Sequence, residues 1–450
     1  MPWQDWSMWV AMRRICFAGA LFALTSGASA QGGKAAVDPA STVAATFARD
    51  VLPILQKHCQ ECHRPNRVAP MSLIEYSEVR PWAKAIRNSV VSRTMPPFHV
   101  NAPLGHFKDD IRLTDEQIAT IAKWVDTGAP QGNPADAPPA VVWPSGEWLL
   151  GDPDLVLPYP VYSPNTNNLD EVIVFFSDYV FPQETWVQSF EFKATNYRVL
   201  HHAGVYSVGP EFFVPEDKVL NTDDEHLSKF GGKSSGSFAL MKDKPHLYTW
   251  LPGQQFNRRA EGDGFRIKAG NRLVIQLHVA PTTEAIQFQI SLGLHFVNGE
   301  ITTDTIPKLG RLKDFSIPPG APAHRLRTEI GFDQARTVIG FNAHMHVRGK
   351  STSIVFHYPD GRTETVFDLP HYNFDWQRDY YLAKPMQVPA GTRAEFIAEW
   401  DNSVANPLNP DPAAEVKWGA HNTDEMYDGL VYATGAREKP LRVVKGIVQP

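Results

Sequence analysis

The spacing of apolar and polar residues changes along the chain. Residues 47–58 (FARDVLPILQKH) carry apolar side chains at helical spacing, and residues 78–93 can form a second helix. Thr114 and Gln117 have the spacing of a capping box, which predicts the start of a third helix. From about residue 150 onward, short alternating or apolar runs are separated by Pro, Gly and Asn turns. This second pattern predicts antiparallel strands.

The change in pattern predicts a multidomain protein: a small all-α domain followed by two antiparallel β-sandwich domains. The 450 residues are enough for about three domains. A stretch rich in Pro and Ala separates the two patterns and is typical of a semi-rigid linker. The expected parts are a signal peptide at 1–30, the α domain at 31–135, the linker at 136–149, and the β domains at 150–310 and 311–450.

The first 30 residues contain the elements of a secretory signal peptide. Residues 12–30 (MRRICFAGALFALTSGASA) have two arginines, a short apolar run and an A-x-A cleavage pattern. The apolar run is too short to span a membrane. The sequence therefore predicts export to the periplasm with no membrane span after cleavage. It leaves the Sec and twin-arginine routes open.

Composition and charge narrow the classes of function. The net charge of -6 gives no reason to expect nucleic acid or an anionic membrane as a partner. The 16 histidines, several of them in pairs, favour metal binding. Signal cleavage would leave Cys59 and Cys62 as the cysteines of the mature chain. If both have another role, the chain has neither a disulfide nor the thiolate of a blue-copper site.

Cys59, Cys62 and His63 form a C-x-x-C-H motif, the attachment signature of c-type haem. The thiols add to the haem vinyl groups, and the adjacent imidazole is placed to ligate the iron. The alternatives are a redox cysteine pair or half of a zinc site, which would need two further ligands. Behind an export signal the motif favours haem. The helical part, about residues 47–130, resembles small class I-like cytochrome c domains.

The second axial ligand of the haem iron is expected from the loop before the third helix. Met95, in the sequence RTMPP, is the preferred candidate because the prolines stiffen the loop and a thioether raises the haem potential. Met71 and His99 remain as alternatives.

Two predicted strands carry histidines opposite an apolar face. In RTVIGFNAHMHV, His344 and His346 are two residues apart and therefore share a face. Such a pair is a natural chelate for a metal ion, or simply two surface histidines. In NRLVIQLHV, His278 likewise points away from an expected core face. The apolar face expected for the first of these strands comprises Ile339, Phe341, Ala343, Met345 and Val347.

His201 and His202 form a third histidine site. Neighbouring side chains on an ideal strand point in opposite directions, so both can bind one metal only at a bend or through different ring nitrogens. Histidine sites without a carboxylate suit copper or zinc better than calcium or magnesium.

Together these motifs resemble the ascorbate-dependent type II copper monooxygenases, the family of peptidylglycine α-hydroxylating monooxygenase and dopamine β-monooxygenase. The likeness runs over roughly residues 186–430. It comprises the HH pair, LYTWLPGQQF…GDGFRIKAGNRLVIQLHV, the H-x-H strand followed by GK, YNFDWQ, and TDEM. The resemblance implies two jelly-roll-like β-sandwiches that face each other across a solvent-filled cleft.

The resemblance also implies two copper ions with different roles. The implied ligands of the first copper, which stores and passes an electron, are His201, His202 and His278. The implied catalytic ligands of the second copper, where O2 is activated and a C–H bond is hydroxylated, are His344, His346 and Met426. A thioether donor suits this second position because it stabilises Cu(I).

Some positions depart from the family pattern. The peptide-amidating branch holds its substrate carboxylate with Arg, Asn and Tyr, where this chain has Asn342, Asp428 and Leu430. A peptide ending in glycine is therefore not the expected substrate, and Asp428 would suit a cationic or neutral molecule. The disulfides of the family are also excluded if haem takes both cysteines.

The sequence thus predicts an exported copper monooxygenase with two coppers and one covalent haem c. It would hydroxylate a small substrate with O2, with electrons passing through the haem from a periplasmic donor. The alternative is a non-catalytic periplasmic protein that binds copper and transfers electrons. A copper nitrite reductase is disfavoured because the mature chain has no cysteine left for a type I copper.

Overall fold

A computed structural model describes residues 44–65, 67, 69, 71–143, 148–167, 171–221, 241, 244–251, 254, 256–280, 282–419 and 423–449. The predicted signal peptide lies outside these residues. Among them, no helix is long and apolar enough to cross a membrane.

Short helices make up the N-terminal part of the described chain. A π-helical turn at Phe47–Val51 leads into α1, and 3-10 turns lie at Arg80–Trp82 and Pro134–Asp136. The α-helices are α1 (Leu52–His58), α2 (Tyr76–Val79), α3 (Ala83–Val91) and α4 (Asp115–Asp126). The predicted capping box of α4 is confirmed, since the Thr114 hydroxyl accepts from the Gln117 backbone and the Gln117 side chain accepts in return.

Within the described ranges, the strands form four antiparallel sheets of four or five strands and one two-stranded pair. Sheet 1 contains β1 (Leu155–Pro158), β3 (Thr185–Ala194), β7 (Phe256–Arg258), β8 (Phe265–Ile267) and β10 (Ile290–Phe296). Sheet 2 has the order β5 (Val219–Asn221), β2 (Glu171–Phe176), β9 (Arg272–Val279), β4 (Leu200–Val208) and β6 (His246–Trp250).

The remaining strands belong to the C-terminal part. Sheet 3 contains β11 (Gly299–Leu312), β20 (Tyr427–Val444), β14 (Arg336–His344), β17 (Tyr380–Val388) and β21 (Ile447–Val448). Sheet 4 has the order β13 (His324–Gly331), β18 (Arg393–Trp400), β15 (Gly349–His357) and β16 (Thr363–Leu369). The small pair is β12 (Ser316–Ile317) with β19 (Val416–Lys417).

The two largest cores of the described chain lie between these sheets. Phe190 of sheet 1 packs in one cluster with Val205 and Ile275 of sheet 2. Phe341 of sheet 3 packs in another with Phe396 of sheet 4. The predicted core face of β9 is confirmed, because its apolar side chains at Leu273, Ile275, Leu277 and Val279 all lie in the first core. The opposite face is not solvent-exposed as expected, since Val274 and His278 are also buried.

The expected fold class is wrong. We expected a separate all-α cytochrome c domain ahead of two jelly-roll-like sandwiches, but the described chain is mostly β and its strands form small sheets. The segment between α3 and α4 packs against the β part. Its side chains Phe98, Val100 and Phe107 are buried in the core between sheets 3 and 4. Phe107 also forms a β-bridge with Leu382. The short helices therefore share their connecting segment with the β part and do not form an all-α domain of their own.

The predicted apolar face of β14 is also wrong in part. A register shift between Val338 and Gly340 interrupts the alternation. Val338 is consequently fully buried, whereas Ile339 is only half-buried. Beyond this β-bulge the predicted face is confirmed up to Met345, which is 0% exposed. A strand pattern assumes regular pleating and gives no sign of such a bulge.

Candidate metal centre

The three histidines predicted for the first copper meet on adjacent strands of sheet 2. His202 on β4 lies directly opposite His278 on β9. A register shift between Leu200 and His202 marks a β-bulge at His201. The bulge explains how neighbouring imidazoles can turn to the same side. Candidate ligand atoms of the three residues all lie within 4.8 Å of one another.

The Nδ1 atoms of the three imidazoles lie close together. Nδ1 of His201 is 3.0 Å from Nδ1 of His202 and 3.1 Å from Nδ1 of His278. On its other side, Nε2 of His201 is 2.8 Å from Oδ1 of Asp375. A carboxylate only accepts, so Nε2 carries the proton and Nδ1 keeps its lone pair. A carboxylate behind a ligating imidazole is typical of metal sites, and the cluster fits a metal ion.

Burial also keeps His202 in the form that binds metal. The pKa of His202 is lowered well below its usual value, first by burial and then by the nearby rings of His201 and His278. A neutral imidazole offers a lone pair at neutral pH.

The pair predicted for the second copper lies at the end of β14. The ring centroids of His344 and His346 are 5.1 Å apart. Nδ1 of His344 donates to the side-chain oxygen of Gln377, and Nδ1 of His346 is 3.2 Å from the backbone carbonyl of Asp424. Both partners are acceptors, so each Nδ1 is protonated and each Nε2 keeps its lone pair. The tautomers again suit metal ligation.

Met426, predicted as the third ligand of this pair, is 1% exposed and directly precedes β20. β14 and β20 pair with His344 opposite Asp428. The residues just before β20 also contact His346, since its backbone N–H donates to the Glu425 carboxylate and its Nδ1 is 3.2 Å from the Asp424 carbonyl. Ligation by the sulfur of Met426 stays a prediction. Met345 points into the core between sheets 3 and 4, as predicted.

Phe374 lies between the two histidine groups. Its ring centroid is 5.5 Å from that of His201, 6.1 Å from that of His278 and 6.4 Å from that of His346. Proximity to His344 and His346 also contributes, after burial and the nearer rings, to the lowered pKa of His202. The resemblance implied a solvent-filled cleft between the sites, but Phe374, 9% exposed, occupies part of that space.

Asp428 is paired within the chain. Arg311, opposite it on β11, forms a bidentate ion pair with its carboxylate, with Nη2 of Arg311 2.6 Å from Oδ2. The side chains of Arg311 and Asp428 are 15% and 8% exposed. The guanidinium compensates the carboxylate, which removes the reason for expecting a cationic substrate.

The predicted haem-binding residues follow α1. Cys59 and Cys62 are not bonded to each other. Burial raises the pKa of Cys59 to about 12 and that of Cys62 to about 11, and burial lowers the pKa of His63. Two free thiols beside a neutral imidazole are the groups that c-type haem attachment and ligation require, so the donor set fits haem.

The C-x-x-C-H turn lies against both β parts. The guanidinium of Arg67 packs 5.6 Å from the ring centroid of Tyr197, four residues before His201. On the other side, the positive charge of Arg378 partly offsets the rise in the pKa of Cys62 that burial causes. The Arg378 guanidinium also packs 4.7 Å from the ring centroid of Phe98. The segment that would carry haem is therefore close to the loop that leads into β4, the strand of His201 and His202, and to the loop whose Asp375 contacts His201.

The three candidates for the second axial haem ligand lie in different surroundings. Met71 packs against the helical core together with Cys59. Met95 is half-buried in the loop after α3. His99 lines a small cavity with Arg378, and burial lowers the pKa of His99. All three remain predictions.

Sequence reasoning missed the partners of the metal-binding candidates. Asp375 and Gln377 belong to YNFDWQ, which entered only as part of the family resemblance. Glu425 sits next to Met426 and is 0% exposed. Its carboxylate accepts from the backbone N–H of His346 at 3.0 Å and from the Trp400 indole at 2.8 Å. Glu425 adjoins the predicted ligand Met426 in the sequence, and this adjacency was the one signal that could have pointed to it; Asp375 and Gln377 are far along the chain from the imidazoles that they contact.

Because the Glu425 carboxyl group is buried, we expect the free energy of unfolding to depend on pH. Burial raises its pKa to about 7 from an ordinary 4.5. The folded chain then holds this proton more tightly than the unfolded chain, so stability is greatest below pH 4.5 and is lost as pH rises through 7. The loss is up to about 3 kcal/mol for this one group.

The variant Glu425→Gln, which cannot ionise, tests this effect. Denaturant unfolding of the metal-free chain at several pH values should give a wild-type free energy of unfolding that falls from pH 5 to pH 8 more steeply than that of the variant. Parallel curves would contradict a raised pKa at Glu425.

Comparisons with known proteins give no family. No family model and no curated protein matches the chain. Among solved structures, infectious bursal disease virus (Gx strain) is 9% identical with a TM-score of 0.20, covering 64% of this chain and 76% of that one. The major capsid protein P2 of bacteriophage PM2 is 8% identical with a TM-score of 0.24, covering 63% and 98%. A protein from Eubacterium rectale assigned as secreted is 8% identical with a TM-score of 0.19, covering 62% and 70%. Likenesses this weak carry no argument.

Proposed function

We propose that the protein is an exported copper monooxygenase that hydroxylates a C–H bond of a small neutral substrate. The observation that carries the proposal is the meeting of His201, His202 and His278 in one cluster, with their Nδ1 atoms turned toward each other. A hydrogen-bonded acceptor behind His201 gives that ring the tautomer of a metal ligand.

The second site would be formed by His344, His346 and Met426. Two imidazoles and a thioether make a soft donor set that suits Cu(I) more than zinc or a hard cation. Copper, when bound, supplies one-electron chemistry at both sites and O2 activation at the second. The balanced reaction is R–H + O2 + 2 electrons + 2 protons → R–OH + H2O, with the electrons drawn from a periplasmic reductant.

The chain's own residues would orient the ligands and limit the access of water. Asp375 and Gln377 fix the tautomers of His201 and His344. Phe374 covers the rings between the two sites. The buried Arg311–Asp428 pair places no net charge beside the second site, which favours a neutral substrate.

Cys59, Cys62 and His63 would hold haem c, which supplies a store for one electron at a time. Contacts of Arg67 with Tyr197, and the charge of Arg378 near Cys62, favour a haem placed beside the first histidine cluster. Haem attachment through C-x-x-C-H and the leader at residues 12–30 both favour export to the periplasm.

A second candidate is a non-catalytic copper and haem electron-transfer protein. Phe374 favours it, because its ring lies in the space where the resemblance implies a cleft open to substrate. The two candidate functions predict different rates of reaction with O2.

Stopped-flow mixing separates them. The full chain, loaded with copper and reduced without oxygen, is mixed with O2 while the haem absorbance is followed; the copper-free chain is the control. We expect oxidation of the haem within seconds only in the copper-loaded protein. Equal, slow oxidation in both samples would overturn the monooxygenase proposal and leave the electron-transfer alternative.

A further inference from the structure

One short loop contacts both histidine groups. We define the bridging loop as residues Tyr372–Arg378. The carboxylate of Asp375 accepts from Nε2 of His201 at 2.8 Å, and the side-chain oxygen of Gln377 accepts from Nδ1 of His344. Only one residue separates these two acceptors along the chain. Each contacts an imidazole of a different site.

The ring of Phe374 adds a packing contact to each site. It lies 5.5 Å from the ring centroid of His201 and 6.4 Å from that of His346. A displacement of this ring would therefore disturb imidazoles on both sides, because packed side chains have few alternative arrangements.

Hydrogen bonds within the bridging loop make it a compact unit. The backbone N–H of Asp375 donates to the side-chain oxygen of Asn373 at 2.9 Å, and that of Trp376 donates to the Asn373 carbonyl at 3.1 Å. Nε2 of Gln377 donates to the Phe374 carbonyl at 2.8 Å. The side chain that orients His344 is thus tied to the residue that packs on His201.

The bridging loop is also fixed to the end of β14. The hydroxyl of Tyr372 donates to the carbonyl of Met345 at 2.7 Å and accepts from its backbone N–H at 2.9 Å. Met345 stands between His344 and His346 in the chain. The position of the loop and the position of the second pair are therefore set together.

We propose that Asp375 and Gln377 are positioning residues and that the bridging loop couples metal binding at the two sites. A metal ion at the first cluster holds His201, and through Asp375 it holds the loop. The held loop presents Gln377 to His344, so the second site needs less ordering before it binds its own ion. This inference rests on the proposed function only in that both sites bind copper.

The exposure of Asp375 allows a clean test. Its side chain is 50% exposed, so its removal leaves no buried cavity, and the group that loses its partner is Nε2 of His201, the ring whose position is being tested. A loss of metal affinity in Asp375→Ala would therefore reflect the position of His201 and not a damaged core. Asp333, exposed in the turn between β13 and β14, provides a matched control.

The experiment uses the full haem-containing chain, stripped of copper and titrated with Cu²⁺ against a competing chelator. Electron paramagnetic resonance follows each site, and the signal of the second site is identified in His278→Ala. Asp375→Ala should weaken the first site by about 10–100-fold. It should also weaken the second site, which it does not touch, by at least about fivefold. Asp375→Asn, which keeps an acceptor oxygen, should recover part of both losses.

Each other outcome has a defined meaning. An unchanged second site in Asp375→Ala would overturn the coupling, and equal losses in Asp333→Ala would overturn the positioning role. In both cases the proposed function would stand. If wild-type protein binds no Cu²⁺ at these imidazoles, the proposed function fails, and the coupling fails with it.

Discussion

Met426→Leu is expected to leave haem content and first-site copper unchanged while O2-driven oxidation of the haem falls by at least about 100-fold. Leucine has nearly the volume of methionine, so packing is preserved and only the sulfur donor is lost. Loss of an outer-shell partner alone costs about 10–100-fold at metal sites, and a direct donor should cost at least as much. Stopped-flow absorbance and metal analysis of the same preparation measure both effects.

Met345→Leu is the matched control for this prediction. Met345 is 0% exposed and precedes His346, but its side chain points into the core between sheets 3 and 4. The control should keep the wild-type rate. A normal rate in Met426→Leu, or an equal loss in both variants, would remove Met426 from the second site.

His278→Ala is expected to remove the first copper and keep the second. Only His201 and His202 would remain in the cluster, and two neighbouring imidazoles make a weaker site than three. We expect copper content to fall from two ions per chain to one, and first-site affinity to fall by more than about 100-fold. Chelator competition and metal analysis measure these changes.

The control is His357→Ala, which removes a histidine of sheet 4 that bonds to Glu395 at 3.0 Å. It should bind two coppers. Two coppers of unchanged affinity in His278→Ala would show that β9 contributes no ligand, and the first site would then have to be sought elsewhere.

The sequence predicted local features better than those that depend on distant residues. Alternation along β9 identified its core face, and the H-x-H spacing placed His344 and His346 near each other, because pleating alone decides both. The capping box of α4 is equally local. These features needed no knowledge of which segments meet.

Features that depend on long-range pairing could not be predicted. The bulge that brings His201 and His202 together is defined by their register against β9, and strand alternation does not encode it. Asp375 is 174 residues from His201 in the chain, so no local pattern could link them. The predicted fold class was wrong for the same reason. Nothing in the sequence distinguishes Phe98 and Phe107 from other apolar residues, and only the structure shows that they are buried in the core between sheets 3 and 4.

Anomalous diffraction from crystals of the full exported protein, recorded at the copper and iron absorption edges, tests the central claim most directly. Our account predicts one copper peak among His201, His202 and His278, a second among His344, His346 and Met426, and one iron peak beside His63. A single copper peak shared by all the histidines, or none at the sulfur of Met426, would contradict two separate copper sites on this β scaffold.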